Sequence, residues 1–123
     1  MDKYPVYTLE IQKSETTYSS VSQIIEYLKT LVDQHEVAGY IATFDHYTHT
    51  KNLDGNIAPE IKDAQNLIFC FGPAIPSTKI LAARPRSIGV CELENSFMIE
   101  FLEPPKEQLI DLMETWAKSV ANK

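Results

Sequence analysis

Apolar positions along the chain recur first with a period of two, then at three-and-four spacing, then with a period of two again. From Pro5 to Gln12, Tyr7, Leu9 and Ile11 fall on one face and Val6, Thr8, Glu10 and Gln12 on the other. That alternation predicts a strand with one covered face. Lys13 to Tyr18 is polar and predicts a loop. Ser20 and Gln23 then stand at capping-box spacing. Behind them Val21, Ile24, Ile25, Leu28, Leu31 and Val32 share a helical face, with Ser22, Glu26, Lys29 and Asp33 on the solvent side. This predicts an amphipathic helix of about four turns. The pattern lapses at Gln34-His35-Glu36, and Gly39 suits the exit. His35 is expected on the surface near the helix carboxyl end, where its charged form is favoured.

Val37 to Asp45 predicts a second strand, with Tyr40, Ala42 and Phe44 on one face and Ile41, Thr43 and Asp45 on the other. A polar stretch runs on to Asp54-Gly55, a turn signal. Ile57 to Ile61 leads back to the sheet through a short helical turn. Asn66 to Phe71 is almost unbroken apolar sequence, expected as an interior strand covered on both faces, and Gly72-Pro73 stops it. Pro76 is expected to open a short helix with Ile80 and Ala83 inward. Ile88 to Leu93 and Ser96 to Leu102 predict a hairpin across Glu94-Asn95. A two-residue loop there sets Val90 opposite Ile99 and Cys91 opposite Met98. Pro104-Pro105 ends the strand and starts the last helix, in which Leu109, Leu112, Met113, Trp116 and Val120 line one side. Trp116 is expected as a core anchor.

The order is strand, helix, four strands, helix. The hairpin, the alternation and the absence of regular strand–helix repeats predict a single α+β domain over residues 1–123. Its sheet is mostly antiparallel and five-stranded, in the order β-α-β-β-β-β-α, with two helices packed on one face. The other sheet face needs a cover, either a loop or a second copy of the chain, so a homodimer is the expected assembly.

Charge narrows the partners. The formal net charge is −6 and the isoelectric point about 5.0, which disfavours nucleic acid. No apolar stretch approaches the ~20 residues of a membrane span. Met1-Asp2-Lys3-Tyr4-Pro5 lacks the basic-then-apolar pattern of a signal peptide, so no membrane partner and a cytoplasmic location are expected. Cys70 and Cys91 form no Cys-x-x-Cys pair and are expected as small buried hydrophobes.

The titratable side chains gather in Ile41 to Thr50, which holds Asp45, His46, Tyr47 and His49. Asp45 suits a cap on the segment Tyr47 to Thr50. His46 and His49, with Asp45 or Glu60, are of metal-ligand type, but a zinc site needs a further ligand at fixed spacing. No metal or cofactor is therefore assigned. Asp45 orienting His46 would make an acid–base pair, and a Cys70–His46 pair would need the two strands side by side. Arg84 and Arg86 flank Pro85 and are the only arginines; guanidinium forks hold carboxylate or phosphate. The expected function is binding of a small ligand or a protein partner at the His46/His49 corner. His46 and His49 supply hydrogen bonds, Tyr47 a flat face and a hydroxyl, and Arg84 and Arg86 the charge for a small anionic ligand. The alternative is a metal-binding or acid–base enzyme using Asp45 and His46.

Phe44-Asp45-His46, Leu67 to Pro73, Arg84-Pro85 and the closing hairpin together resemble the bacterial domain-of-unknown-function family 302, over roughly Ile41 to Pro104. That family has Phe-Gly-Asn-Pro where this chain has Phe71-Gly72-Pro73, and Asp-Leu-Pro where Arg86-Ser87-Ile88 stands. The resemblance implies a TBP-like β-α-β4-α fold, in agreement with the order above, and brings no established activity with it.

Overall fold

The computed structural model describes residues 5–72 and 74–123. The amino-terminal pattern at Met1 to Tyr4 and the proline of Phe71-Gly72-Pro73 lie outside the described residues. The chain runs β1 (Val6–Gln12), α1 (Val21–Gln34), β2 (Ala38–Asp45), α2 (His46–Asn52), β3 (Asp63–Phe71), α3 (Ile80–Ala83), β4 (Arg86–Glu92), β5 (Ser96–Leu102) and α4 (Glu107–Lys118). One 3-10 turn, Lys13–Glu15, follows β1. The strands form one antiparallel sheet in the order β1-β5-β4-β3-β2. The expected α+β architecture is the one observed. No described helix is long and apolar enough to cross a membrane.

Local chemistry sets the first helix. The Ser20 hydroxyl accepts the Gln23 N–H at 3.2 Å, as capping requires. The reciprocal arm reaches one residue further back than a capping box does: Gln23 Oε1 accepts the Ser19 N–H at 2.7 Å. Val21, Ile24, Ile25, Leu28 and Val32 are buried against the sheet. In the hairpin, Val90 opposes Ile99 and Cys91 opposes Met98, the register a two-residue loop dictates. The core lies between the two long helices and the sheet face that carries Leu67, Phe69, Ile88 and Ile99. Trp116 stacks on Phe71 with ring centroids 5.7 Å apart and meets Phe69 at 5.8 Å, so it anchors the core.

The second strand departs from its expected alternation. Tyr40 opposes Phe69, yet Ala42 opposes Ile68. Ile41 is the extra residue of a bulge. Directly opposed residues share a face, so Tyr40, Thr43 and Asp45 lie on the helix-covered side, and Ala42 and Phe44 on the other. Contacts agree: the Tyr40 hydroxyl is 3.0 Å from Thr43 Oγ1, and Lys29 of α1 sits over the Tyr40 ring at 4.5 Å.

Other expectations are corrected as well. β3 starts at Asp63 rather than Asn66 and is fully covered on one face only. Leu67, Phe69 and Phe71 are buried; Asn66, Ile68 and Cys70 are half-buried. Cys91 is also half-buried on the helix-free side. The polar stretch after Asp45 is a helix, α2. α3 begins at Ile80 and not at Pro76, and Pro104-Pro105 precede α4, whose cap position is Lys106. Arg86 belongs to β4 and not to the connection before it.

Candidate functional site

The site residues expected from the sequence fall into two groups, one at each end of the β2–β3 pair. Asp45 closes β2 opposite Gln65, while Ala38 at the other end opposes Phe71. At ~3.3 Å per residue, the ends are about 20 Å apart.

At the first end, Asp45 caps α2. Its Oδ1 accepts the Thr48 N–H at 2.9 Å, and its Oδ2 accepts the Thr48 hydroxyl at 3.0 Å. Both oxygens are engaged in starting the helix, and neither orients an imidazole. His46 and His49 share one face of the 7-residue α2. Their rings flank Phe44 at 4.5 Å and 5.1 Å between centroids. The Tyr47 ring is covered by Lys51 Nζ at 4.9 Å. A hollow of about 210 Å3 lies between His46, Tyr47, Ile57, Ile61 and Ala64, and no arginine lines it. Among the described residues no three His, Cys, Asp or Glu side chains stand where they could share a metal ion. Nearby Asp63 has its carboxyl pushed above the usual range by burial first, with Asp45 and Glu92 adding to it; the Ala64 N–H on Asp63 Oδ1 at 2.8 Å opposes the shift.

At the second end, Arg86 opposes Phe69 and so projects on the helix-covered face. Its two Nη atoms donate to the carbonyls of Ala83 and Leu102. Its Nε is buried with no acceptor among the described residues. Burial lowers its pKa, though a guanidinium stays charged. Arg84 Nη1 donates to the Ala74 carbonyl at 2.8 Å. The Arg84 guanidinium lies on Gly72, where a Cβ would fall 2.4 Å from Nη2. Gly72 has φ +98°, a conformation that only glycine adopts freely. The ion pairs among the described residues are Lys13–Glu92 and Lys118–Glu114; neither arginine joins one.

Two hollows meet at this end. One, of about 210 Å3, is lined by Phe71, Arg84, Arg86, Lys106 and Leu109 together with prolines 76, 104 and 105. The other, of about 450 Å3, opens beside Ile41, Cys70, Ile75, Leu81 and Pro85. Ile80 and Arg84 belong to both. The expectation of one hollow shared by imidazoles and arginines is thus corrected, because the bonded pairing of β2 and β3 keeps the groups a strand's length apart. The Cys70–His46 pair is corrected for the same reason: the strands are neighbours, but Cys70 opposes Gly39 at the arginine end.

Two residues escaped the sequence reading. Lys106 reaches the arginine hollow from the far side of the hairpin, and its only signal was its place after Pro104-Pro105. His35, expected on the surface, is half-buried at the end of α1. Its ring meets Phe71 at 5.7 Å and Trp116 at 6.1 Å, edge to face, and Nδ1 accepts the Val37 N–H at 3.3 Å. Its position after the last apolar repeat of α1 carried no hint of those aromatic partners.

A family model described as "Family of unknown function (DUF6858)" matches residues 1–122. No curated protein matches the chain. Among solved structures the chain is similar to the crystal structure of the uncharacterized conserved protein DUF302 from Bacillus stearothermophilus, at 16% identity and a TM-score of 0.60. The match covers 94% of this chain and 86% of that one. At this identity the likeness is one of fold, in line with the resemblance carried by Phe44-Asp45-His46 and Leu67 to Gly72.

Proposed function

We propose that this chain, which belongs to the DUF6858 family, binds a small organic anion in the hollow between the Arg84–Arg86 segment and the start of α4. One observation carries the reading: both arginines and Lys106 line a single hollow, while no carboxylate pairs with either arginine among the described residues. In a chain of net charge −6, a hollow lined by three cationic residues and, among the described residues, by no carboxylate is a specific local feature. Arg86 Nε is buried without an acceptor among the described residues, a state that costs about 1–3 kcal/mol. Backbone carbonyls of Ala74, Ala83 and Leu102 hold the two guanidiniums in place. The acid–base alternative loses its basis in Asp45, whose two oxygens serve Thr48.

The test is titration of the full chain with butyrate and with inorganic phosphate, followed by amide shifts in nitrogen–proton spectra. Shifts centred on Phe71, Arg84, Arg86 and Leu109 are expected. Arg86→Met should weaken binding by about tenfold or more, since a hydrogen bond to a charged group contributes roughly 1.5–3 kcal/mol. Absence of localised shifts at roughly 10 mM of either anion would overturn the reading.

A further inference from the structure

The arginine hollow is small, and it does not end blindly. Ile80 and Arg84 form its wall on one side and line the larger, apolar hollow on the other. That second hollow exposes unusual amounts of hydrocarbon. Ile41 is 53% exposed, Leu81 65% and Ile75 72%. Two of these come from the segment before Arg84, and the third is pushed outward by the bulge in β2. Among the described residues Arg84 is the one charged side chain that lines the larger hollow. The smaller hollow alone falls below the roughly 300–1,000 Å3 of ordinary small-molecule sites, and joined to its neighbour it falls within that range.

We infer that the ligand is an amphipathic carboxylate, its head among Arg84, Arg86 and Lys106 and its hydrocarbon tail across Ile80 into the hollow between Ile41, Ile75 and Leu81. This rests on the anion-binding reading above. Charge complementarity selects the head, and exposed apolar side chains with no described element over them select the tail. A wholly polar anion would leave the second hollow unused, and a neutral lipid would leave the guanidiniums unpaired.

The experiment compares butyrate, hexanoate and octanoate against the full chain by calorimetry, below the micelle concentration of each. Every methylene that enters the apolar hollow should tighten binding about three- to fourfold. In Leu81→Asp and Ile75→Asp that increase with chain length should vanish. Both residues are exposed, so these variants keep the fold, and circular dichroism checks it. Equal affinity for the three acids would overturn the inference and leave the anion reading standing. An increase that persists in both variants would also overturn it, because the tail would then lie elsewhere. If none of the acids binds, both readings fall together.

Discussion

At one end of the β2–β3 pair, Asp45 is bonded twice to Thr48 and two imidazoles enclose Phe44. At the other, two guanidiniums donate to the carbonyls of Ala74, Ala83 and Leu102, and Arg86 Nε is left without an acceptor among the described residues. From the sequence the first end, with Asp45, His46, Tyr47 and His49, looked the more promising as chemistry, and the arginines only added charge to it. The difference is one of exposure. Asp45 finds its partner within a single short helix, and His46 and His49 are exposed to solvent, while Arg86 is half-buried. A guanidinium carries five donors, and a half-buried setting that supplies a few carbonyls leaves some of them over. A dense polar motif on an exposed helix is therefore a poorer sign of a ligand than a sparse one that the fold half-buries.

The largest test of this contrast concerns the two phenylalanines that support the two ends. Phe69, opposite Arg86, is fully buried, and Phe69→Ala should cost about 3–5 kcal/mol in urea unfolding. Phe44 is 36% exposed, and Phe44→Ala should cost about 1 kcal/mol, near the worth of its ring contacts. Equal losses would mean that the histidine end is as deeply rooted as the arginine end.

A smaller effect separates Asp45 from its neighbours. Asp45→Ala removes the α2 cap and should cost about 1 kcal/mol. His46→Ala should change stability by less than about 0.5 kcal/mol, as for a surface site. If His46 proved the costlier of the two, the imidazole would have a structural duty beyond touching Phe44.

The smallest effect is a pH dependence. The raised carboxyl of Asp63 means that the folded state holds its proton more firmly than the unfolded chain. Its contribution is therefore favourable at low pH and is lost as pH rises from about 3.9 through the folded value. Asp63→Asn should raise the melting temperature at about pH 7, and the gain should shrink to nothing near pH 3.5. A gain of the same size at both pH values would show that charge is not its cause.

The hairpin register was legible because it depends on a two-residue loop and local alternation alone. The face of Arg86 was legible too, in principle. It lies two residues before Ile88 and four before Val90, so extending that strand backwards puts it under the helices. Treating it as part of a linker hid this. The bulge at Ile41 was not legible, because nothing in Gly39-Tyr40-Ile41-Ala42 says that β3 will pair with only three of the four. Lys106 was equally hidden: the hollow it lines exists only after α3, β4 and α4 have come together. Composition found the charged residues of the site, and only the pairing of β2 with β3 showed which of them could act jointly.

The kink at Ile41 has a consequence for how molecules of this protein meet in a crowded solution. β2 and β1 are the two outer strands, and β1 pairs with β5 in unbroken register from Val6 to Gln12. A strand from another chain could run along β1 and find its donors and acceptors evenly spaced, whereas along β2 the displaced residue interrupts the spacing. Fibril growth, if conditions ever forced it, would start from one flank of the molecule only.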